Sequence, residues 1–287
     1  MICPFCKLKC QYLYTINRFE EPLEIFQCPI CKLQMQNTSD PYKYYTKEYF
    51  DGTANYNYFD ERKYYKYCEY VWNARLKTIK KYKLPPARFL DIGCSFGGFI
   101  KSAIKYGYDA EGIDISSYAI QECKKDPVLK NRVFQNHILD FNPTKKYDII
   151  TLIEVLEHLP EPQKVFKKLY DLLNEEGLLI IQTANFDGLQ AKLQKENYHY
   201  YLPGHLFYYS KSNLTKHLKE YGFKQLIYFH GVDFGLIPKL KKMKGFIDSP
   251  KYYYKYIRAS LYHFLSKVAY KNFALTSSFV LYAFKNK

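Results

Sequence analysis

From Arg88 onward, apolar residues fall into short runs that alternate with stretches of helical periodicity. The runs at 88–92 (RFLDI), 109–114 (DAEGID), 131–135, 147–153 (YDIITLI) and 177–182 (GLLIIQ) have the length of buried strands. Helices fit 97–106, 116–124, 162–174 and 211–221 between and after them, and two last strands fit 224–230 and 278–285. Such alternation predicts an α/β fold: a parallel, Rossmann-like sheet, seven-stranded with the two last strands counted, and helices on both faces. Upstream, 70–82 (YVWNARLKTIKKY) reads as a helix that Leu84-Pro85-Pro86 stops. The stretch 40–70 holds Tyr44, Tyr45, Tyr49, Phe50, Tyr56, Tyr58, Phe59, Tyr64, Tyr65 and Tyr67, with a turn at Asp51-Gly52. It is expected to lie on the main domain as a connector. No internal repeat is visible.

The segment between the last two strands has a different pattern. Tyr254, Ile257, Leu261, Phe264, Leu265 and Val268 recur at helical spacing, with Lys255, Arg258, Lys267 and Lys271 elsewhere around the helix. From Leu236 to Asn272 there are eight Lys and one Arg against a single acid, Asp248. Such a basic amphipathic helix either packs its apolar stripe on the domain or serves as a membrane-surface or lid element.

Composition narrows the class. A chain of 287 residues with 47% hydrophobic and 25% charged residues can bury a full α/β domain plus a small appendage, and is not disordered. No apolar run reaches the ~18 residues of a membrane span. The opening Met1-Ile2-Cys3-Pro4 lacks an export-signal pattern. The expected location is therefore cytoplasmic, with peripheral attachment at the inner membrane surface open. The net charge of +15 calls for nucleic acid, a membrane surface or an anionic substrate, or is partly a Lys-rich solvated surface.

Five of the eight cysteines lie in the first 31 residues. Cys3-Pro4-Phe5-Cys6 and Cys28-Pro29-Ile30-Cys31 form two CxxC pairs, and four thiolates suit tetrahedral zinc better than disulfides in a chain without an export signal. Metal would supply the folding free energy that so short a unit lacks, on the order of 10 kcal/mol. Lys follows the second Cys of each pair, where zinc ribbons often have Gly, and Cys10 could compete as a ligand. The expected organisation is a zinc knuckle or ribbon over 1–36, the aromatic connector and helix over 37–86, and the main domain over 87–287 with its basic helical insertion at 236–272.

The turn Asp91-Ile92-Gly93-Cys94-Ser95-Phe96-Gly97 joins the first strand to a helix, where glycines allow close ligand approach and the helix start offers free N–H groups. Asp114 ends the second strand, where a carboxylate can accept both hydroxyls of an adenosine ribose. Asp140, in His137-Ile138-Leu139-Asp140-Phe141, follows the third. Over roughly 88–230 this resembles the class I S-adenosylmethionine (SAM)-dependent methyltransferases, whose first motif D-x-G-C-x-x-G matches Asp91, Gly93, Cys94 and Gly97. By that resemblance the turn Gly93–Gly97, including Ser95, lies against the methionine part of SAM and Asp91 orients it. Asp114 holds the ribose, Asp140 faces the adenine amino group, and Ile115 and Leu139 flank the ring. Ile153, ending the fourth strand, is also expected at the cofactor. A dinucleotide dehydrogenase would instead want G-x-G-x-x-G.

Glu154-Val155-Leu156-Glu157-His158-Leu159-Pro160 comes after the fourth strand, at the edge that lines the ligand crevice in open α/β sheets. It resembles the family that includes ubiquinone-biosynthesis O-methyltransferases, as does His205-Leu206-Phe207-Tyr208-Tyr209-Ser210, read as its H-x-x-x-[FY]-S turn. Three readings stand open. The segment is a structural motif of the fold; or His158 is a general base; or Glu154, Glu157, His158 and His205 hold a divalent cation such as Mg2+, as in the small-RNA terminal 2′-O-methyltransferases that it also resembles. His137, His199, His217, His230 and His263 carry no motif and read as ordinary residues.

The expected reaction is methyl transfer to a hydroxyl, or second to a carbon, of a small-molecule, sugar, glycan or lipid-linked acceptor. RNA is the alternative partner, although 1–36 carries four basic and three acidic side chains, less basic than an RNA-reading ribbon would be. A non-catalytic scaffold is the third reading, and the retained Asp114 and Gly93 speak against it. Nothing in the sequence speaks to oligomeric state.

Overall fold

The structure, a computed structural model, describes residues 1–38, 42–51, 60–246, 249, 253–270, 273–275 and 277–286. Gly52, Tyr56, Tyr58, Phe59, Asp248, Lys271 and Asn272 lie outside the described residues. In chain order the elements are β1 (Gln11–Ile16), β2 (Leu23–Gln27), β3 (Gln34–Gln36), α1 (Lys47–Asp51), α2 (Tyr65–Ile79), β4 (Arg88–Ile92), α3 (Gly98–Lys105), β5 (Asp109–Asp114), α4 (Ser117–Lys124), β6 (Val133–Gln135) and β7 (Tyr147–Ile153). There follow α5 (Pro162–Leu172), β8 (Leu173–Ala184), α6 (Leu189–Gln194), β9 (Phe207–Tyr208), α7 (Lys211–Glu220), β10 (Phe223–His230), α8 (Leu236–Met243), α9 (Tyr254–Leu265), β11 (Ala269–Tyr270), β12 (Phe273–Ala274) and β13 (Ser278–Lys285).

The main sheet has seven strands in the order β10-β13-β8-β7-β4-β5-β6. β8, β7, β4, β5 and β6 run parallel, while β13 is antiparallel to both β8 and β10. The middles of the central strands are mostly apolar because both faces are covered. On one face Leu76 and Ile79 of α2, Ile100 and Ala103 of α3 and Ile120 of α4 pack on Phe89, Ile149 and Ile180. On the other, Val165, Phe166 and Leu169 of α5 and Leu214 and Leu218 of α7 pack on Leu90, Ile150 and Leu179. Trp72 of α2 lies so close to Gly98 that a Cβ there would come within 2.2 Å of the indole.

Some bounds differ from the sequence reading. Helix α5 ends at Leu172 because Leu173 turns to extended backbone, and its carbonyl accepts from Lys285 Nζ at 3.0 Å, so the strand expected at 177–182 starts at Leu173. Helix α2 starts at Tyr65 and stops at Ile79, ahead of Leu84-Pro85-Pro86. There Lys81 N and Tyr82 N turn back to the Thr78 and Ile79 carbonyls, and the Tyr82 ring packs on Tyr282 and Phe284.

The N-terminal residues form a second sheet, β1-β2-β3-β9, whose last strand comes from the main chain just after His205. The two CxxC turns are alike. Cys3 N and Cys28 N donate to Leu8 O and Leu33 O, and Lys7 N and Lys32 N donate back to Cys3 O and Cys28 O. One ligand atom from each of Cys3, Cys6, Cys28 and Cys31 lies within 4.8 Å of the others. Cys10 stays outside that group; it is buried, with its thiol turned to Leu8 O. The thiol cluster shares its core with the main domain, and Phe5 stacks on His217 with ring centroids 3.6 Å apart.

The basic segment departs most from a packed helix. α8 packs against α2 and α9 packs mainly against α8, meeting the main domain at its inner side, where Tyr262 Oη accepts from Ser277 N at 3.0 Å just ahead of β13. His263 and Ser266 turn inward, while Ile257, Leu261 and Phe264 are 73%, 59% and 63% exposed. Lys271, expected around the same helix, lies outside the described residues.

Lys7 and Lys32 stand at φ +58° and +60°, in the left-handed region where zinc ribbons often place Gly. A non-glycine residue there carries Cβ strain of about 1 kcal/mol. Lys32→Gly should therefore raise stability by up to about 1 kcal/mol in chemical denaturation; an unchanged or lower midpoint would show that the turn is unstrained.

Candidate functional site

Parallel pairing of β4 with β5 and β7 brings their carboxyl ends to one edge of the sheet, where a cavity of about 300 Å3 opens. Ile92, Gly93 and Ser95 line it from the β4 turn, Asp114 and Ile115 from β5, and Ile153 and Glu154 from β7. His158 and His205 close its far side, and Tyr42, Tyr45, Tyr49 and Phe50 of the aromatic connector wall it. His158 stands 4.5 Å from His205 and 5.8 Å from Tyr45, ring centre to ring centre.

The backbone is strained at this edge. Ser95 and Glu154 both sit at positive φ, +46° and +56°, in contact with the cavity. Gly93, at φ +74°, has no room for a Cβ, which would meet the Val155 side chain at 2.4 Å. Non-glycine residues in such conformations persist only where the surroundings fix them, and they gather at ligand sites.

Asp114 is buried and accepts from Ser95 N at 2.9 Å and Ser116 N at 2.8 Å. Burial raises its pKa, opposed by those backbone donors. Each carboxylate oxygen has two lone-pair directions, so capacity remains for two ligand hydroxyls. Asp91 lies beneath the turn, off the cavity, and accepts from Thr151 Oγ1 at 2.5 Å. Burial pushes it up to about 7. Cys94 and Gly97 also stay off the cavity lining: Cys94 packs under Gly112, and Gly97 is the left-handed N-cap of α3.

Two residues fall elsewhere than the resemblance implied. Asp140 is exposed, and neither it nor Leu139 lines the cavity. A turn in which Asp140 N and Phe141 N both donate to His137 O carries them outward. Asn136, His137 and Ile138 take that place instead, and His137 Nε2 meets Tyr42 Oη at 2.9 Å.

The acids after β7 divide. Glu154 accepts from Gln182 Nε2 at 2.6 Å, and Gln182 in turn accepts from Arg75, whose Nε reaches Asp233 at 3.0 Å. Burial raises Glu154, and the Gln182 bond and Arg75 oppose the rise. Glu157 is buried with both carboxyl oxygens lacking a hydrogen-bond partner, and burial together with Glu154 raises its pKa far above the carboxylate range. Glu157, His158 and His205 each offer one ligand atom within 4.8 Å of the others; Glu154 is not in that group. His158 Nδ1 meets Gly204 O at 2.9 Å, which fixes the Nδ1–H tautomer and leaves Nε2 as acceptor. Burial lowers His158 to about 4 and holds His205 well below the usual imidazole range, with His158 adding to that.

Gln36 of β3 holds this corner from the second sheet. Oriented by its hydrogen bonds, its amide nitrogen donates to Leu202 O at 3.2 Å, His205 O at 3.0 Å and Tyr208 Oη at 3.0 Å. Gln36 N also donates to Leu206 O at 3.0 Å, and Leu206 N to Glu157 O at 2.8 Å. One chain of bonds thus runs from the cysteine-rich unit to the two histidines. A lone Gln in a short polar strand gives no motif, so sequence reasoning passed over it. His137 was passed over too, although its place two residues after β6 was a signal. The connector tyrosines were legible only as composition.

Residues 60–226, more than half of the chain, match the family model described as "Methyltransferase domain". The chain belongs to the methyltransferase-domain family. Within it, the chain is 34% identical over 110 residues to the "Ubiquinone biosynthesis O-methyltransferase" of Glaesserella parasuis serovar 5, a match covering 34% of this chain and 45% of that protein. The chain thus spans less than half the length of that curated relative. Its fold is that of a SAM dependent methyltransferase from Archaeoglobus fulgidus, at 21% identity and TM-score 0.53, covering 76% of this chain and 94% of that one. The plantazolicin methyltransferase BpumL, solved in complex with SAH, shares the fold at 19% identity and TM-score 0.51, covering 79% of this chain and 87% of that one. No helix among the described residues is long and apolar enough to cross a membrane.

For this methyltransferase-domain protein, Gln36→Leu should orphan buried carbonyls and cost about 1–3 kcal/mol. It should also shift the imidazole NMR resonances of His158 and His205. Unmoved histidine signals would mean that β3 does not hold the corner.

Proposed function

We propose that this protein transfers the methyl group of SAM to a hydroxyl of a small-molecule, sugar or lipid-linked acceptor. The observation that carries the reading is a single cavity that joins the glycine turn and Asp114 to His158 and His205. Methyl donor and acceptor would meet inside it. Family membership, the relative named for O-methylation and the SAH-bound neighbour support the same reading.

In this reading Asp114 accepts the ribose hydroxyls while Ser95 N and Ser116 N hold the carboxylate in place. Gly93 lets the backbone meet the methionine part, Ser95 continues that wall, and Asp91, Cys94 and Gly97 shape the turn from beneath. Ile115 and Ile138 flank the adenine, with His137 beside them in the place expected for Leu139 and Asp140, and Ile153 closes the floor. Methyl transfer from a sulfonium is an in-line displacement, so the protein mainly positions the acceptor, excludes water and takes up its proton. The tautomer of His158 leaves Nε2 as the atom to receive that proton. An RNA acceptor remains the alternative, motivated by the +15 charge. A labelled-methyl screen of glycan, lipid and RNA fractions decides between the two.

A second reading of the reacting corner is favoured by the orphaned Glu157 carboxyl. Glu157, His158 and His205 fit a divalent cation such as Mg2+, with Gly204 O orienting one imidazole from behind. Bound there, the cation would lower the pKa of an acceptor hydroxyl. Glu154, tied to Gln182, stands apart from that set. In the N-terminal unit, Cys3, Cys6, Cys28 and Cys31 are proposed to hold one structural zinc. The Sγ atoms of Cys3 and Cys31 lie 3.7 Å apart, close to the roughly 3.8 Å edge of a tetrahedron with Zn–S bonds of about 2.3 Å. The units 1–36, 37–86 and 87–287, with the insertion 236–272, remain our proposed division.

Asp114→Ala should weaken SAM binding by about 1.5–3 kcal/mol in calorimetry, because charge-assisted bonds are lost; unchanged affinity would refute the cofactor site. Elemental analysis of protein purified without chelator should find one zinc per chain, and Cys28→Ser should remove it while SAM binding persists. Finding no zinc would sink that assignment. Titration of Mg2+ should raise the melting temperature of the intact protein but not that of Glu157→Gln. Equal response of both, or of neither, would leave His158 without a cation.

A further inference from the structure

We propose that the α8–α9 layer docks on an anionic bilayer, with the apolar stripe of α9 entering the interface and the cleft between the two helices taking a lipid headgroup phosphate. The cleft has a volume of about 380 Å3 and is lined by Lys239 and Met243 of α8 and by Tyr254, Lys255, Arg258, Ala259 and Tyr262 of α9. Three cations and two tyrosines converge there, and no acid is among the lining residues. Lys239 Nζ lies over the Tyr262 ring at 5.0 Å, so its head is held in the cleft rather than extended into solvent. Phosphate is the chemistry such a set recognises, through charge and donated hydrogen bonds.

The apolar stripe selects lipid as the source of that phosphate. At 100° per residue, Ile257, Leu261 and Phe264 fall on one face of α9 and are each more than half exposed, as is Val268 just beyond the helix end. Tyr254 and Arg258 stand at the edge of that face on the cleft side. Ile237 of α8 adds a further side chain at 67% exposed. A contiguous apolar face of this kind rimmed by cations is the signature of an interfacial helix. Nucleic acid would match the charge but leave Ile257, Leu261 and Phe264 uncovered. The net +8 of residues 236–272 complements an anionic leaflet. The layer rests on the main domain through α2 and through Tyr262, whose Oη accepts from Ser277 N at 3.0 Å, and the buried Arg75–Asp233 pair ties α2 to the loop where the insertion begins. Docking would thus present the enzyme to acceptors held at a membrane without touching the SAM residues.

The experiment is flotation of the full chain with vesicles of phosphatidylcholine alone and of phosphatidylcholine mixed with phosphatidylglycerol, at low and moderate salt. The expected result is salt-sensitive binding to the mixed vesicles only. Neutralising the cleft by Lys239→Gln, Lys255→Gln and Arg258→Gln should weaken it about a hundredfold, since each cation near an anionic surface contributes about fivefold. Leu261→Ser with Phe264→Ser should weaken binding even at low salt. Both sets should keep SAM affinity and melting temperature, because none of these residues lies in the cavity or the core. Binding of inorganic phosphate without vesicle binding would overturn the proposal, and so would absence of vesicle binding with tight, salt-sensitive binding to structured RNA. Vesicle binding unaffected by either set of variants would place the contact elsewhere and overturn it too.

Discussion

Five neighbouring strands that run the same way impose the constraint on which the site depends. Parallel hydrogen bonding of β4 between β5 and β7 forces Ile92, Asp114 and Ile153 to end at one edge, so the three loops beyond them share one crevice. The loops after β4 and β7 turn sharply to leave the sheet, with positive φ at Gly93, Ser95 and Glu154. The carboxylate of Asp114 then ties two of those loops together through Ser95 N and Ser116 N. The group read as the ribose acceptor is therefore also a structural clasp, and its position is set before any ligand arrives.

The cysteine-rich unit is less separate than its length implies. It buries its thiols against α5 and α7, completes its sheet with β9 and reaches the histidine corner through Gln36. Residues far apart in sequence meet there: Gln34 and Met35 pair with Tyr208 and Phe207. A small unit that cannot form a core of its own gains one by borrowing, and in return it fixes a loop that the main domain leaves long.

How much could be read from the sequence depends on how local each feature is. β4, β5 and β7 were legible to the residue: β4 and β7 are largely apolar runs between turn residues, and β5 is placed by the βαβ spacing that follows β4. The glycine turn and Asp114 were legible because spacing along one βαβ unit fixes their separation in space. Asp140 stands off the cavity because β6 has only three residues and the turn at His137 sets the course of the chain beyond it. Gln36 and the lining role of Tyr42, Tyr45 and Tyr49 were not legible because they come from tertiary contacts that no local pattern encodes, whereas His137 had a signal in its place after β6. The exposed stripe of α9 was legible as a stripe; that α9 would pack mainly on α8, with its stripe turned away from the domain, was not.

Trp72 is the sole tryptophan of a chain with 32 tyrosines. It packs against Gly98, the first residue of α3, one residue beyond the turn proposed to cradle the methionine part of SAM. Any tightening of that turn changes the surroundings of a single indole that can be excited apart from the tyrosines. The close packing of helix on glycine thus gives the protein an intrinsic fluorophore seated beside the turn proposed to hold SAM, where occupancy would be followed by light without a label.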